Sequence, residues 1–151
     1  MQNLKILNSK EVKRIVRELD EIYGSDLKKD CVFFQNNDGK IFILSKKFGE
    51  LDEKALRINN LGMYLGKFEK DGIRLSIEGA QLIDAKKNIF ELNDASVHSW
   101  ICGEDLVVGN QELKHYLIMK NGNDVYGVGK YKEGRIMNYT PKDRRVKCAE
   151  A

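Results

Sequence analysis

The stretch GVGKYKEGRIMNYTPKDRRVK, from Gly127 to Lys147, decides how this chain is interpreted. Apolar side chains persist among its charges, and Glu133-Gly134 is a turn signal, so the stretch predicts two short β-strands joined by a tight turn. Between Lys130 and Lys147 seven basic residues accompany two acidic ones, a local charge of +5 in a chain whose net charge is +3. The positive charge is therefore concentrated at the C-terminal end, on a β-rich platform.

A concentrated basic surface on a small protein attracts polyanions over about a Debye length, ~8–10 Å at physiological salt. Tyr131, Tyr139 and Asn138 lie among the charges. Aromatic rings can stack on bases, and an amide can pair with a base edge. Nucleic acid is thus the first candidate partner. The alternative is an ordinary basic hairpin whose lysines serve solubility, and composition leaves the two equally open.

Length and composition limit the class of protein. The 151 residues suffice for one domain or two very small ones, and 42% hydrophobic with 32% charged residues is typical of a globular chain. No apolar run approaches the ~18–20 residues of a membrane span, so no membrane association is predicted. The first residues lack the apolar core of a secretory signal, and a cytoplasmic location is expected.

The cysteines and histidines form no recognisable ligand set. Cys31, Cys102 and Cys148 are odd in number and widely spaced, which disfavours a disulfide framework and a zinc site. We interpret Cys31 and Cys102 as buried apolar residues. No metal and no cofactor is predicted.

The N-terminal half predicts a mixed α/β unit. Asn8 or Ser9 can cap a helix that carries one apolar stripe and ends at Gly24. The predicted elements are an opening strand at 4–7, this helix, a hairpin of 31–34 and 41–44 around Asp38-Gly39, a helical turn at 51–56, a strand pair around Asp71-Gly72 and a short helix at 77–83.

The C-terminal half predicts a small, partly closed β-barrel. A boundary is indicated at 84–87, and Asn93 or Asp94 can cap a helix that ends at Gly103. The predicted strands are 88–92, 106–108, 116–119, 125–130 and 135–139. One helix among about five short strands fits a barrel. The expected domains are 1–86 and 87–151.

Three motifs carry a resemblance to a known family. They are LGMYLGKF at 61–68, CGEDL at 102–106, and GVGK at 127–130 followed by EGRIMNYTPK at 133–142. From residue 61 onward the chain resembles the PUA-like RNA-binding domain at the C-terminus of RsmF/Sun-type RNA cytosine-5 methyltransferases. An α/β domain followed by a PUA domain is also similar to Nip-type ribosome-biogenesis factors. The resemblance implies an α+β fold, with a small α/β pre-PUA domain at 1–86 and a PUA-like, partly closed β-barrel with one or two short helices at 87–151.

The chain departs from the catalytic part of that family. Its methyltransferases need a Gly-rich loop for S-adenosylmethionine and cysteines in Pro-Cys and Thr-Cys contexts. Here Cys31, Cys102 and Cys148 follow Asp, Ile and Lys, and a β-turn rather than a helix follows the GVG at 127–129. The resemblance therefore implies an RNA-binding portion standing alone, and no enzyme activity.

The predicted function is non-catalytic binding of ribosomal or transfer RNA, as an assembly or recruiting factor. The candidate phosphate contacts are Lys130, Lys132, Arg135, Lys142, Arg144 and Arg145, and the candidates for bases or riboses are Asn138 and Tyr139. Gly127 and Gly129 would admit close approach of a ligand or of a neighbouring strand, or mark a bulge.

Two alternatives remain at this point. The chain could be a protein–protein adaptor that docks a separate methyltransferase or ribosome assembly factor. It could also be an RNA-modifying enzyme, although Glu104, Asp105 and His115 form no recognisable catalytic set.

Overall fold

The protein is described by a computed structural model that covers residues 4–25, 27, 31–45, 63–70 and 72–147. Its helices and strands are β1 Lys5–Ile6, α1 Ser9–Tyr23, β2 Cys31–Gln35, β3 Lys40–Ser45, β4 Met63–Glu69, β5 Gly72–Leu75, α2 Ile77–Leu82, β6 Ile89–Glu91, α3 Asp94–Ile101, β7 Leu106–Val107, β8 Tyr116–Asn121, β9 Asp124–Lys132, β10 Arg135–Asn138 and a 3-10 turn Lys142–Arg144. The helical turn predicted at 51–56 lies outside the described residues, as do Leu61, Gly62, Asp71 and Cys148.

The long helix α1 begins and ends at the predicted residues. The side chain of Asn8 accepts a hydrogen bond from the Glu11 amide at 2.9 Å, and the Glu11 carboxylate accepts one from the Asn8 amide at 3.4 Å. This capping box satisfies two amides that the helix itself leaves unpaired. Gly24 ends the helix with φ 64, a left-handed conformation that glycine adopts without strain. Ile15, Leu19 and Tyr23 on the apolar stripe are buried, and the other apolar residues of the stripe pack partly buried against the same core.

The first sheet contains β1 to β5 in chain order, and all neighbouring strands are antiparallel. The hairpin around Asp38-Gly39 is confirmed as β2 and β3. Helix α2 lies tightly against β4, because Gly79 presents no side chain there: a Cβ at this position would lie 2.1 Å from the Leu65 carbonyl oxygen. The second glycine of the LGMYLGKF motif, Gly66, is likewise pressed against the backbone of β5.

The second sheet has the strand order β6-β8-β9-β10-β7, with β6 and β8 parallel and the other pairs antiparallel. Helix α3 begins at the cap Asn93 and covers one face of the sheet, where Trp100 is 1% exposed among Leu117, Met119 and Ile136. The sheet is thus a curled, half-closed barrel around a Trp-centred core. The predicted fold class, α+β with a partly closed barrel and short helices, is confirmed.

The two sheets share one apolar core. Tyr116, Ile118 and Val128 of the second sheet pack into the cluster built by α1 and the first sheet. The connecting segment is tied to the end of α1, since the amides of Lys86 and Lys87 donate to the Tyr23 carbonyl at 2.7 and 3.0 Å. The domain boundary between residues 86 and 87 stays a prediction. The shared core fixes the surfaces of the two halves relative to each other.

Cys102 differs from its prediction as a buried apolar residue. It is the C-cap of α3, is half-buried, and is disulfide-bonded. Spacing along the chain could not indicate this bond, because disulfide formation depends on the distance between Cα atoms in the fold. Within the described ranges no three His, Cys, Asp or Glu side chains are grouped to hold a metal ion. Nor is any helix there long and apolar enough to cross a membrane.

Candidate nucleic-acid interface

Strands β9 and β10 carry basic side chains on one face. Their antiparallel register places Lys132 opposite Arg135 and Lys130 opposite Met137. Residues directly opposite each other point to the same side of a sheet, and side chains alternate along a strand. Ile136, between Arg135 and Met137, is fully buried in the Trp-centred core. Lys130, Lys132, Arg135 and Met137 therefore share the other side, which we name the basic face.

The basic face holds an electrostatically unfavourable pair. Lys132 and Arg135 are both exposed, and neither forms an ion pair with any acidic side chain in the described part of the chain. Like charges directly opposite on antiparallel strands destabilise a sheet by roughly 0.2–1 kcal/mol. An anionic ligand lying over the two strands would relieve that repulsion.

Lys130 joins the basic face to the first sheet through two aromatic rings. Its Nζ lies 5.3 Å from the centroid of the Tyr116 ring, and this ring contacts Tyr139 edge-on at 5.7 Å. The guanidinium of Arg74, on β5, lies 5.3 Å from the centroid of Tyr139. Cations over aromatic faces attract the ring electrons, which stabilises this arrangement. Tyr139, predicted to contact RNA, is half-buried here and links the two sheets.

The phenol of Tyr116 stays neutral at physiological pH. Burial raises the pKa of Tyr116, and the neighbouring Tyr139 and Glu69 raise it further, while Lys130 and Arg74 lower it less than burial raises it. The contact between Lys130 and Tyr116 is therefore a cation–ring contact and not an ion pair.

Asn138 is used inside the protein. Its side-chain Nδ2 donates to the carbonyl oxygens of Trp100 at 2.8 Å and Glu104 at 3.0 Å, and its Oδ1 accepts from the Thr140 amide at 2.8 Å. Both amide hydrogens are thus donated to the end of α3 and the turn that follows it. The side chain fastens β10 to α3 in this way, and its contact with a base stays a prediction.

The C-terminal segment uses two of its arginines in a similar way. Arg144 forms an ion pair with Glu78 of α2. The Nε of Arg145 donates to the Thr140 carbonyl at 3.0 Å, and its side chain lies against Gly103, where a Cβ would approach the Arg145 Cδ to 2.4 Å. Lys142, by contrast, is exposed, and it has no ion-pair partner among residues 72–147 or the other described ranges.

The ion pair with Arg144 alters the acidity of Glu78. Desolvation raises the pKa of Glu78, but hydrogen bonds from Arg144 and from the backbone, together with the arginine charge, outweigh it. The pKa of Glu78 therefore lies below its usual value of 4.5. The carboxylate is ionised near neutral pH and holds Arg144 against α2.

The two glycines of the GVGK motif serve the barrel. A Cβ at Gly129 would lie 2.7 Å from the Trp100 ring and 2.5 Å from Ile136, so glycine alone fits between them. Gly127 is buried and has φ 116, a conformation that side-chain-bearing residues rarely adopt. Of the alternatives open for these glycines, close approach of neighbouring core elements fits Gly129. Gly127 fits the bulge, because the register between β8 and β9 shifts there, with Val128 opposite Ile118 and Val125 opposite Lys120.

Arg74 and Tyr116 were not among the predicted RNA contacts, although both lie next to predicted contacts in the fold. Both lie outside the basic C-terminal stretch, and their contacts with Tyr139 and Lys130 form across two sheets. Only long-range packing brings them together, and no local pattern indicated it. Arg74 stands in an alternating strand next to a predicted turn, which marks it as surface but not as part of a site.

The described chain thus combines an α/β unit with a half-closed barrel, a capping helix and a basic face. Residues 87–146 match the family model described as "Methyltransferase RsmF PUA domain". The chain is also 26% identical over 139 residues to "Ribosomal RNA small subunit methyltransferase F" from two strains of Vibrio cholerae serotype O1. That alignment covers 89% of this chain and 28% of each relative. Residues 87–146 therefore resemble the PUA domain of RsmF, as predicted.

A solved structure shares the fold over nearly the whole chain. It is a hypothetical protein from the hyperthermophilic archaeon Pyrococcus horikoshii OT3, with a TM-score of 0.52 and 14% identity, and the superposition covers 99% of this chain and 90% of that one. At this identity the likeness supports the fold alone. It extends the agreement to the N-terminal sheet, which the family model does not include.

Proposed function

We propose that this chain binds structured RNA through the basic face and acts without catalysis, as an assembly or recruiting factor for ribosomal or transfer RNA. The observation that carries the proposal is the exposed Lys132 opposite Arg135, a like-charge pair that forms no ion pair with an acidic side chain among the described residues. Such a pair is unfavourable by itself and favourable beneath a phosphate backbone. The match to the PUA domain of an RNA methyltransferase points to the same ligand.

The proposed contacts fall into groups according to the interactions that each side chain makes inside the protein. Lys132, Arg135 and Lys142 would meet phosphates directly, with Lys130 beside them at the ring contacts. The half-buried Tyr139 offers an aromatic edge to a ribose or base. Asn138, Arg144 and Arg145 keep the face in position through their internal contacts. Four phosphate contacts predict a log–log slope of affinity against salt of roughly −3.

Ribosomal RNA is the first ligand to test. The curated relatives are named as methyltransferases of ribosomal RNA of the small subunit, and this chain spans 28% of their length. The family match lies in the PUA domain, so no methyl transfer is proposed for this chain. Of the acidic residues considered as catalytic, Asp105 accepts a hydrogen bond from the Asn138 amide at 2.9 Å, which is a structural use.

Crosslinking in cell extract, followed by sequencing of the bound RNA, tests the proposal. The test variant is Lys132→Gln with Arg135→Gln, and the matched control is Lys10→Gln with Lys13→Gln, two exposed lysines on α1. We expect discrete ribosomal or transfer RNA sites with the wild type and the control, and their loss in the test variant. Scattered RNA, or identical crosslinks in all three proteins, would contradict the proposal.

A protein adaptor is the second candidate, favoured by apolar residues beside the basic face. Val107, opposite Arg135 on the edge strand β7, is 72% exposed, and Met137 is 40% exposed. Contiguous exposed apolar side chains are typical of contacts with another protein, and these two flank Arg135 on the same side of the sheet. The partner would be a separate RNA methyltransferase or a ribosome assembly factor. Co-purification of such a partner that survives nuclease and high salt, and that Val107→Ser removes, would favour the adaptor.

A further inference from the structure

A second row of basic residues crosses the N-terminal sheet. The registers of β3, β4 and β5 place Lys40 opposite Lys67 and Lys67 opposite Arg74. Three like charges therefore stand side by side on three adjacent strands. We name Lys40, Lys67 and Arg74 the N-terminal row.

The N-terminal row lies on the side of the sheet that faces away from α1. Along β5 the buried Ile73 and Leu75 alternate with Arg74, and along β3 the buried Ile41 follows Lys40. These apolar residues pack with α1 in the shared core. Because side chains alternate along a strand, the basic row points to the opposite side. All three of its side chains are half-exposed.

Acidic side chains leave most of the row's charge uncompensated. Arg74 lies 3.5 Å from Glu69, whereas the described parts of the molecule provide no ion pair for Lys40 or Lys67. Lys40 instead lies over the ring of Tyr64, with 5.6 Å from Nζ to the centroid. Opposed like charges weaken strand pairing. A repeating anion across the strands would compensate it.

The N-terminal row is continuous with the basic face. Arg74 is the last member of the row and lies over Tyr139, which contacts Tyr116, which in turn lies under Lys130. The shared core holds the two sheets in this relation. The positive charges of the two halves thus form one surface joined by two aromatic rings.

We infer that the RNA-binding surface of this protein is composite, and that the N-terminal row contacts the phosphate backbone of the same RNA that the basic face binds. This inference rests on the proposed function. Neighbouring strands are about 4.8 Å apart, so the row presents its charges at strand spacing over about 10 Å. Phosphates positioned in this way bind without sequence preference and fix the orientation of the RNA. The PUA-like domain alone would then provide only part of the affinity.

Fluorescence anisotropy with a labelled stem–loop RNA that carries single-stranded flanks tests the inference on the full chain. The test variant is Lys40→Gln with Lys67→Gln, compared with Lys132→Gln/Arg135→Gln and with the α1 control Lys10→Gln/Lys13→Gln. Removing two phosphate contacts should weaken binding roughly tenfold and reduce the slope of log affinity against log salt by about 1.5. The thermal midpoint should stay the same or rise, because a like-charge pair is removed.

The outcomes separate the inference from the proposed function. Weaker binding in both test variants, restored for the row by Lys40→Arg/Lys67→Arg, supports the composite surface. Weaker binding in the Lys132/Arg135 variant alone overturns the composite surface and leaves the proposed function standing. Unchanged binding in both test variants, or an equal loss in the α1 control, overturns both.

Discussion

Two adjacent regions of this protein share a basic composition and differ in what their side chains do. In strands β9 and β10, Lys132 and Arg135 stand exposed and unpaired by any acidic group in the described residues. In the segment from Asn138 to Arg145, three of the predicted contacts are engaged with α2, α3 and the turn at Thr140. Charge along the chain is similar in the two regions. The internal hydrogen bonds are what distinguish them.

The difference shows that the net charge of a basic stretch does not identify its RNA contacts. Whether each basic side chain already has a partner inside the protein is the better guide. Both side-chain amide hydrogens of Asn138 are already donated, so binding a phosphate would exchange one hydrogen bond for another. The charge of Arg144 is already paired with Glu78, and Arg145 is held against Thr140 by one of its five N–H donors. A like-charge pair without acidic partners is stabilised when an anion binds to both of its charges, because their mutual repulsion is then compensated. Under the proposed function, β9 and β10 would contact the RNA, and the segment that follows would hold them in position.

Gly129→Val should produce the largest change in stability. The added side chain would enter the space held by Trp100 and Ile136, both of which are buried and cannot move aside. Overpacking of this kind costs about 3 kcal/mol of the free energy of unfolding. Chemical denaturation measures it. If the variant is as stable as the wild type but loses RNA binding, Gly129 serves the ligand and the structural interpretation is wrong.

Asn138→Ala should cost about 2 kcal/mol of stability, since it removes three side-chain hydrogen bonds and leaves two carbonyl oxygens of the α3 end without their donor. The same denaturation experiment on Asn123→Ala, at an exposed turn position, provides the matched control. RNA affinity of the folded Asn138→Ala protein should stay near that of the wild type. A stable variant with weak RNA binding would place Asn138 among the contacts after all.

Arg145→Gln and Arg135→Gln make the same chemical change in the two regions. Arg145→Gln should lower stability by about 1 kcal/mol, through the lost bond to Thr140 and the lost packing against Gly103. Arg135→Gln should leave the thermal midpoint unchanged and weaken RNA binding. Stability and RNA affinity are both measured for each variant, so that each region is tested for both effects. A loss of affinity without a loss of stability in Arg145→Gln would remove the distinction between the regions.

Glu78→Gln should have the smallest effect, a few tenths of a kcal/mol at neutral pH, because Arg144 and Glu78 are 48% and 36% exposed and solvent screens their attraction. The folded pKa of Glu78 is lowered, so its contribution is present above the unfolded value of 4.5 and is lost as pH falls through the folded pKa. The difference from wild type should therefore vanish in acid. Glu104→Gln is the control, and a difference that persists in acid would exclude the ion pair as its cause.

Much of the fold could be predicted because its signals are local. The cap at Asn8, the stop at Gly24 and the turn at Asp38-Gly39 each depend on residues within a few positions, and each lies where the sequence predicts. The barrel strands follow from short apolar runs between turn residues. Local backbone preferences decide such features before any tertiary contact forms.

The site was harder to predict because its contacts are long-range. Asn138 is thirty-eight residues from Trp100, and Arg74 is farther still from Tyr139. The spacing along the chain does not show whether the side-chain amide of Asn138 donates to carbonyl oxygens of the protein or is accessible to a ligand. The register that aligns Lys40, Lys67 and Arg74 likewise depends on strand pairing and on the bulge between Ile41 and Phe42.

The salt dependence of RNA binding, measured for two charge-matched double variants, tests the central distinction most directly. Lys132→Gln/Arg135→Gln and Arg144→Gln/Arg145→Gln each remove two positive charges, and both are measured well below their thermal midpoints. We predict that the first reduces the slope of log affinity against log salt by about 1.5 and that the second leaves it at the wild-type value. An equal reduction in both variants, or a larger one in the second, would contradict the assignment of RNA contacts to the basic face.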